Sequence, residues 1–264
     1  MTAFRSLLYQ LLFLPWTLLL SIAFLPLLGL ASRRGMQRAA LLWLNGAHLL
    51  QRNVLGLSFE MRGLENLPAG PVIVAAKHQS AWDTMVFHDL LVDPAFILKK
   101  ELLSLPFIGW YMKKTEQVAI DRKAGIRALK LMVEGARQAL ADGRQVIIFP
   151  EGHRQPPGVA GEYHSGVAML YAGLDAPVVP VALNSGLFWP RDAFLRRSGV
   201  IVLEVLPAMP RGLDRKTFMA QLEERIETAT RRLEAEAMGR FPGLAATAGA
   251  AASVMPHVDK SVES

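Results

Sequence analysis

The feature that most constrains this chain is an apolar run near its N-terminus. Residues 6–31 have the sequence SLLYQLLFLPWTLLLSIAFLPLLGLA and include no charged side chain. A straight helix of that length would span about 39 Å, which exceeds the hydrocarbon core of a bilayer, roughly 30 Å thick. Pro15 and Pro26 each remove a backbone donor and favour a kink. The run therefore predicts a membrane-anchoring helical segment, either a kinked span or a re-entrant helical pair.

The charges that flank this run predict its orientation. Arg33, Arg34 and Arg38 follow it closely, whereas only Arg5 precedes it. Positive residues are in excess on the cytoplasmic side, which predicts an inner (cytoplasmic) membrane protein whose C-terminal bulk faces the cytoplasm. A cleaved signal peptide is the alternative, because residues 29–32 would permit cleavage. Its apolar region is normally about 7–15 residues long, which is shorter than this run.

The composition excludes several kinds of chemistry. The chain has no cysteine, which excludes disulfides, thiolate metal sites and a cysteine nucleophile. Its formal net charge of +6 suits an anionic partner: a membrane surface, a phosphorylated substrate or nucleic acid. The Lys and Arg residues are scattered and form no long run with interleaved aromatic residues, so nucleic acid is not an expected partner.

After residue 52, strand and helix patterns alternate, which indicates an α/β domain. Strands are predicted at residues 56–61, 71–76, 95–98, 117–120, 145–149, 178–183 and 200–205. Helices are predicted at residues 36–52, 80–91 and 123–141, and from Asp214, as N-cap, to residue 238. Residues 243–264 are rich in Ala, Ser and Gly without periodicity, which predicts a disordered tail. The predicted units are therefore residues 1–52, 53–242 and 243–264.

Two polar clusters follow buried strands, where functional residues of α/β domains are often found. In the first cluster, His78 follows a strand and Asp83 lies in the first turn of the next helix. A carboxylate on one imidazole nitrogen fixes the tautomer and leaves the other nitrogen to take a proton from a hydroxyl group. Ser80 and Asp83 also have the spacing of a capping box, so a purely structural role is the alternative.

The second cluster is F-P-E-G-H-R at residues 149–154. Arg154 is suited to bind a phosphate through two parallel hydrogen bonds. Gly152 allows close approach of the backbone or a positive φ. Glu151 is predicted to accept a substrate hydroxyl or to hold Arg154 in place. The alternative is an ordinary turn with a surface ion pair, which would contribute little.

Together the two clusters resemble the 1-acylglycerol-3-phosphate acyltransferase family, within the wider glycerolipid acyltransferases. His78 and Asp83 match the H-x-x-x-x-D block, and residues 149–154 match the F-P-E-G-x-R block. Residues 100–122 and 178–182 are similar to the two remaining blocks. The chain departs from the family at His153, where Thr or Ser is usual, and at Lys77, where Asn is frequent.

The resemblance implies a mixed sheet flanked by helices, with residues 53–242 as the catalytic domain behind the anchor. It implies acyl transfer from acyl-CoA or acyl carrier protein to the sn-2 hydroxyl of lysophosphatidic acid, forming phosphatidic acid without a cofactor or metal. His78 would be the general base and Asp83 would orient it, while backbone N–H groups near His78 would form an oxyanion site. The substrate-binding residues implied by the resemblance are Arg122, Glu151, Gly152 and Arg154.

Other interpretations remain open. A different lysolipid acceptor, such as lyso-ornithine lipid, would keep the chemistry. A serine lipase would need a nucleophile elbow, and the sequence has no G-x-S-x-G. A non-catalytic membrane scaffold would explain the anchor and the charge but would make both clusters coincidental. Residues 102–112, flanked by lysine pairs, are predicted to meet the membrane interface, to line an acyl tunnel, or to belong to the core.

Overall fold

The computed structural model describes residues 1–121, 125–191 and 193–244. The helices are α1 (Thr2–Ala23), α2 (Leu25–Leu30), α3 (Arg33–Leu50), α4 (Trp82–Leu90), α5 (Ile108–Lys114), α6 (Gly125–Ala141), α7 (Gly166–Gly173) and α8 (Arg215–Arg240). The strands are β1 (Leu57–Arg62), β2 (Val72–Ala76), β3 (Pro94–Lys99), β4 (Val118–Ile120), β5 (Gln145–Ile148), β6 (Val178–Leu183) and β7 (Gly199–Val205). All seven predicted strands are confirmed to within one residue at each end.

The strands form one sheet in the order β1-β7-β6-β2-β5-β3-β4. Only the β6–β7 pair is antiparallel among the strand pairs of the described residues, so the sheet is mixed. The five residues of β2 are all apolar and buried, as expected for a central strand covered on both faces. The predicted α/β class with a mixed sheet flanked by helices is therefore confirmed.

The register of the central strands determines where the polar clusters lie. β2 runs parallel to β5, with Ala75 opposite Ile148, and parallel to β6, with Ala76 opposite Val181. Because parallel strands end at the same edge of a sheet, the segments that follow these three strands emerge side by side. Both predicted clusters therefore lie at one edge, together with residues 184–186, which follow β6.

The apolar N-terminal run forms two helices that meet at Phe24, with Pro15 inside α1 and Pro26 in the first turn of α2. Among the described residues, α1 is the one helix that is long and apolar enough to cross a membrane. It packs tightly on α3: a Cβ on Gly46 would lie 2.3 Å from the Trp16 ring, so glycine is required there. The Tyr9 side chain is buried in the core of the α/β domain, so the anchoring segment and that domain share one core.

The sequence did not predict two of the observed helices, α5 and α7. Asp214 caps α8 as predicted, because its side chain accepts hydrogen bonds from the backbone N–H groups of Lys216 and Thr217. Leu244, two residues past the predicted domain boundary, is buried in the core. The rest of the predicted tail, residues 245–264, lies outside the described residues, as do residues 122–124.

Candidate active site

A hydrogen-bonded pair, His78 and Asp83, lies at the centre of the site, with 2.9 Å between His78 Nδ1 and Asp83 Oδ2. Asp83 is fully buried. Its carboxylate also accepts from the backbone N–H groups of Gln79 and Ser80 and from the hydroxyls of Ser80 and Ser185. Because these donors hold the carboxylate in one orientation, it favours the tautomer with a proton on Nδ1. The Nε2 atom of His78 is then the basic nitrogen.

The Asp83 carboxylate takes part both in the hydrogen bonds at the start of α4 and in the His–Asp pair. The Ser80 hydroxyl accepts from the Trp82 N–H at 3.1 Å, while Asp83 accepts from the Ser80 N–H at 2.8 Å. The start of α4 is thus stabilised by the carboxylate that also orients His78. The two interpretations offered by the sequence are therefore compatible, because one carboxylate serves both.

The imidazole of His78 is held on its flat face by Phe149, at the end of β5. The two rings stack with 4.0 Å between centroids and 19° between planes. The His78 side chain is 14% exposed and lines a cavity of about 660 Å³. The basic nitrogen therefore belongs to a side chain that is fixed by Asp83 and Phe149 but still reachable from the cavity.

The cavity lining is partly cationic and partly apolar. Its side chains with cationic groups or polar nitrogens are Lys99, His153, Arg154 and Arg191, besides His78 and His88. Its apolar part comes from α1, α3, α5, β3 and the segments beside them, through residues such as Leu20, Phe24, Trp43, Ile97, Leu102 and Ile108. This arrangement suits a ligand with an anionic head and a long apolar chain.

Gly152 and Arg154 both line this cavity. Gly152 has a φ of +66°, a backbone conformation that residues other than glycine rarely adopt. The chain turns at this residue after β5. Arg154 is half-buried, and its guanidinium has no hydrogen bond or ion pair within the described part of the chain. It is therefore available to an anionic ligand. Arg122, the other arginine of the predicted site, lies outside the described residues.

Glu151, predicted to contact the substrate or Arg154, lies beneath the His78 backbone and does not line the cavity. Its side chain is 0% exposed. One oxygen accepts from Lys77 Nζ at 2.6 Å and from the Gly161 N–H, and the other accepts from the His78 N–H at 3.2 Å. Burial raises the pKa of this carboxyl, against the opposing effect of the Lys77 ammonium. Glu151 therefore supports the backbone of His78 from within the protein.

The expected oxyanion site beside His78 is not formed by the nearest backbone amides. The His78 N–H donates to Glu151, and the N–H groups of Gln79 and Ser80 donate to Asp83. None of these three donors is left to stabilise charge on a reacting oxygen.

The structure also bears on the histidines outside this pair. Among the described residues, no group of three or more His, Asp or Glu side chains is arranged to bind a metal ion. Asp89 is hydrogen-bonded to His48 Nε2 at 2.9 Å rather than to its neighbour His88. The His48–Asp89 pair joins α3 to α4.

The family model described as Acyltransferase matches residues 58–184, which include both clusters. The chain is 36% identical to the 1-acyl-sn-glycerol-3-phosphate acyltransferase of Pseudomonas aeruginosa over 185 residues, 70% of this chain and 72% of that protein. The chain belongs to the 1-acyl-sn-glycerol-3-phosphate acyltransferase family.

Two further matches concern sequence and fold, respectively. Human 1-acyl-sn-glycerol-3-phosphate acyltransferase alpha is 28% identical over 198 residues, 74% of this chain and 69% of that protein. The crystal structure of the 1-acyl-sn-glycerophosphate (LPA) acyltransferase from Thermotoga maritima superposes with a TM-score of 0.74. That match is 24% identical and covers 89% of this chain and 98% of the other, so it supports the fold alone.

Sequence reasoning missed three side chains that bear on the site: Ser185, Glu227 and Glu234. Ser185 follows β6 and was within reach of the argument from strand ends, because β6 is parallel to β2. Glu227 and Glu234 flank the apolar stripe of α8 and are buried. Their spacing of two helical turns places them on one face, but their charge gave no reason to expect burial.

The surroundings of His88 shift the pKa of its imidazole. Its ring lines the cavity and packs at 5.5 Å from the Phe96 ring centroid. Burial in these apolar surroundings lowers the pKa of His88 from 6.5 to about 4, although the Asp89 charge opposes this. His88 is therefore neutral at pH 7, and its protonation disfavours the folded state.

We expect the free energy of unfolding to show this shift. Because the folded pKa is lowered, the stabilising contribution of neutral His88 is complete above pH 6.5 and is lost as the pH falls towards 4. A full shift corresponds to about 3 kcal/mol, and we expect roughly 1–2 kcal/mol because the cavity admits some water to the ring. Urea unfolding in detergent at pH 7 and pH 5 measures it.

The His88→Leu variant isolates this contribution, since other groups titrate in the same range. The free energy of unfolding of wild type minus that of the variant should fall by that amount from pH 7 to pH 5. The exposed His164, changed to Leu, is the matched control. An equal pH dependence in wild type and His88→Leu would contradict the prediction.

Proposed function

We propose that this protein transfers a fatty acyl group from a thioester donor to the sn-2 hydroxyl of 1-acylglycerol-3-phosphate, forming phosphatidic acid. The observation that carries the proposal is the hydrogen-bonded His78–Asp83 pair, whose histidine lines one cavity together with both cationic and apolar side chains. Relatives that bear the name of this activity support the acceptor. A non-catalytic scaffold would have no need of a general base in such a cavity.

The proposed reaction is a direct transfer. His78 Nε2 takes the proton of the acceptor hydroxyl as its oxygen attacks the thioester carbonyl carbon, and Asp83 stabilises the imidazolium that forms. The tetrahedral intermediate then collapses, the C–S bond breaks, and the imidazolium returns the proton to the leaving thiolate. The thioester is already activated, so this sequence needs no cofactor. The donor is acyl-CoA or acyl carrier protein.

The substrate would be positioned by the two parts of the cavity. Arg154 and Lys99 would bind the phosphate, with Gly152 allowing the backbone to approach it. Arg122 is assigned the same task on the family motif alone. An acyl chain would occupy the apolar part, which includes Leu102 and Ile108 from the predicted interface segment. Lys77 does not line the cavity, so among the departures from the family pattern His153 bears more directly on acceptor choice.

We also propose that α1 associates with the membrane through its exposed apolar side. The helix is fixed to the protein along its length: Ser6 is hydrogen-bonded to Arg196, Trp16 to the Trp43 carbonyl, and the Ser21 carbonyl to Tyr111. The opposite side carries exposed leucines, including Leu11, Leu14, Leu18 and Leu19. A helix held in this way lies against the domain with its apolar side in lipid. Arg33, Arg34 and Arg38 favour the cytoplasmic leaflet of the inner membrane.

The first test is an acyl-transfer assay in detergent with wild type and His78→Ala. Loss of the general base should lower kcat by roughly 10²–10⁴-fold while the variant stays folded. Product is measured from radiolabelled acyl-CoA and acyl carrier protein donors, with lysophosphatidic acid and lyso-ornithine lipid as separate acceptors. Replacement of the exposed His164 by Ala is the control.

The outcomes separate the candidate functions. Transfer to lysophosphatidic acid that depends on His78 supports the proposal. Transfer only to the other lysolipid keeps the mechanism and moves the acceptor. Normal turnover by His78→Ala would exclude the mechanism. Folded wild-type protein without transfer to either acceptor would favour the scaffold.

Arg154→Lys tests the phosphate contact. Lysine keeps the charge but lacks the planar pair of donors, so kcat/KM for the acceptor should fall by about 10–100-fold, as for the loss of one charge-assisted hydrogen bond. The KM of the acyl donor should stay the same. Arg215→Lys, at an exposed position of α8, is the matched control. Unchanged acceptor kinetics would remove Arg154 from the phosphate site.

Membrane association is tested by cosedimentation with anionic vesicles. In the Leu11→Glu/Leu18→Glu variant, two exposed side chains of α1 become charged. Losing the burial of even one leucine in lipid should weaken vesicle binding by at least about tenfold. Leu131→Glu, exposed on α6, should bind like wild type. Equal binding by all three proteins would contradict the proposed role of α1.

A further inference from the structure

The two residues that flank His78 are buried, and each is hydrogen-bonded to a glutamate of α8. Lys77 Nζ lies 2.8 Å from Glu227 Oε1, and Gln79 Nε2 lies 2.6 Å from Glu234 Oε1. Glu227 and Glu234 are two helical turns apart, so they share one face of α8. That face therefore contacts the segment after β2 on both sides of His78. Both glutamates lie beyond residues 58–184, the part matched by the family model.

The same two glutamates contact the segment that follows β5. Glu227 accepts from the Tyr163 hydroxyl at 2.9 Å, and Glu234 Oε2 accepts from the Gly158 N–H at 3.0 Å. Each α8 carboxylate thus joins one residue beside His78 to one residue of the other motif-bearing segment. A shift of either glutamate would be transmitted to both segments.

Gln79 extends this connection to Asp83. Its Oε1 atom accepts from the Gly186 N–H at 3.0 Å, and the neighbouring Ser185 hydroxyl donates to Asp83. The contact is close, because a Cβ on Gly186 would lie 3.0 Å from the Gln79 Cβ. A displaced Gln79 side chain would therefore disturb His78 through the backbone and Asp83 through Ser185.

Stability alone does not explain these buried charges. A buried ion pair is often no better for stability than apolar residues of the same size, because desolvation opposes the attraction. Two buried glutamates, Glu151 and Glu227, here bind the ammonium of Lys77, and a third, Glu234, is buried against Gln79. Burial raises the pKa of Glu234. Such groups are better explained by the geometry that they impose, since each unmet donor or acceptor would cost free energy.

We infer that Glu234, acting through Gln79, is a positioning residue for the transfer reaction, and that Glu227 acts likewise through Lys77. The inference rests on the proposed function. Glu234 touches neither substrate nor His78; it holds the backbone beside His78 at the distance from the cavity that proton transfer needs. Misplacement of a general base by about 1 Å can lower the rate by roughly 100-fold.

The Gln79–Glu234 pair allows a charge-conserving exchange as a test. Glu234→Gln replaces one of the two accepting oxygens by an NH₂ group, which then faces a donor, either Gln79 Nε2 or the Gly158 N–H. Gln79→Glu puts a carboxylate opposite a carboxylate. In the double variant, Gln79→Glu accepts from Gly186 and from the new amide at position 234, whose oxygen accepts from Gly158. Every hydrogen bond is then restored with the net charge unchanged. Glu224→Gln, exposed on the same helix, is the control.

The expected kinetic result is a fall in kcat of about 10–100-fold in each single variant, with the KM of both substrates within about twofold of wild type. The double variant should recover to within about threefold of wild type, which makes the effects non-additive. Wild-type kcat in Glu234→Gln would overturn the inference. So would single-variant losses that the double variant does not recover, since these indicate general disruption of packing.

Amide hydrogen exchange of the peptide around His78 provides a readout that does not depend on activity. Glu234→Gln should increase exchange in residues 78–80, the double variant should reverse the increase, and Glu224→Gln should cause none. If wild type fails to acylate lysophosphatidic acid, the proposed function fails and exchange still decides whether Glu234 orders this segment. Unchanged exchange in Glu234→Gln overturns the inference in either case.

Discussion

The Asp83 carboxylate is the group on which the geometry of the site depends. It is fully buried, and its donors come from the segment after β2 and from Ser185 after β6. A buried carboxylate that loses a donor costs more than the roughly 1–3 kcal/mol of a neutral group. The strands must therefore keep their register for the charge to be accommodated. The orientation of His78 is in this sense a property of the whole sheet edge.

A second polar layer lies under the first. Lys77 and Glu151 fill the space between the two motif-bearing segments and α8, and no part of either side chain is exposed. The upper layer orients the imidazole, and the lower layer fixes the backbone from which the imidazole projects. This division explains why Glu151, although part of the F-P-E-G-x-R block, faces the interior. It also gives Lys77, a departure from the family pattern, a role away from the substrate.

The sequence was sufficient for the strands, the fold class and the His78–Asp83 pair, because local periodicity and the ends of parallel strands determine all three. It was insufficient for Glu151, whose environment depends on Lys77 and on a contact with Gly161 that no local pattern indicates. It also failed for α5, which is short, begins after Phe107 at positive φ and follows a proline. The burial of Glu227 and Glu234 depends on tertiary packing, which overrides their usual preference for solvent.

One wall of the cavity is formed by α1, through Thr17, Leu20 and Ser21, and by Phe24 at its C-terminal end. If α1 associates with the membrane as proposed, the helix in contact with lipid also forms a wall of the cavity that would bind the substrate. A lysolipid would then enter by lateral diffusion within the leaflet, without first dissolving in water. The concentration that governs turnover becomes the mole fraction of acceptor in the surface, and inert lipid acts as a diluent even when the bulk amount of acceptor is constant. The acceptor and the product would diffuse within the membrane surface, and only the water-soluble donor would reach the enzyme from the aqueous phase.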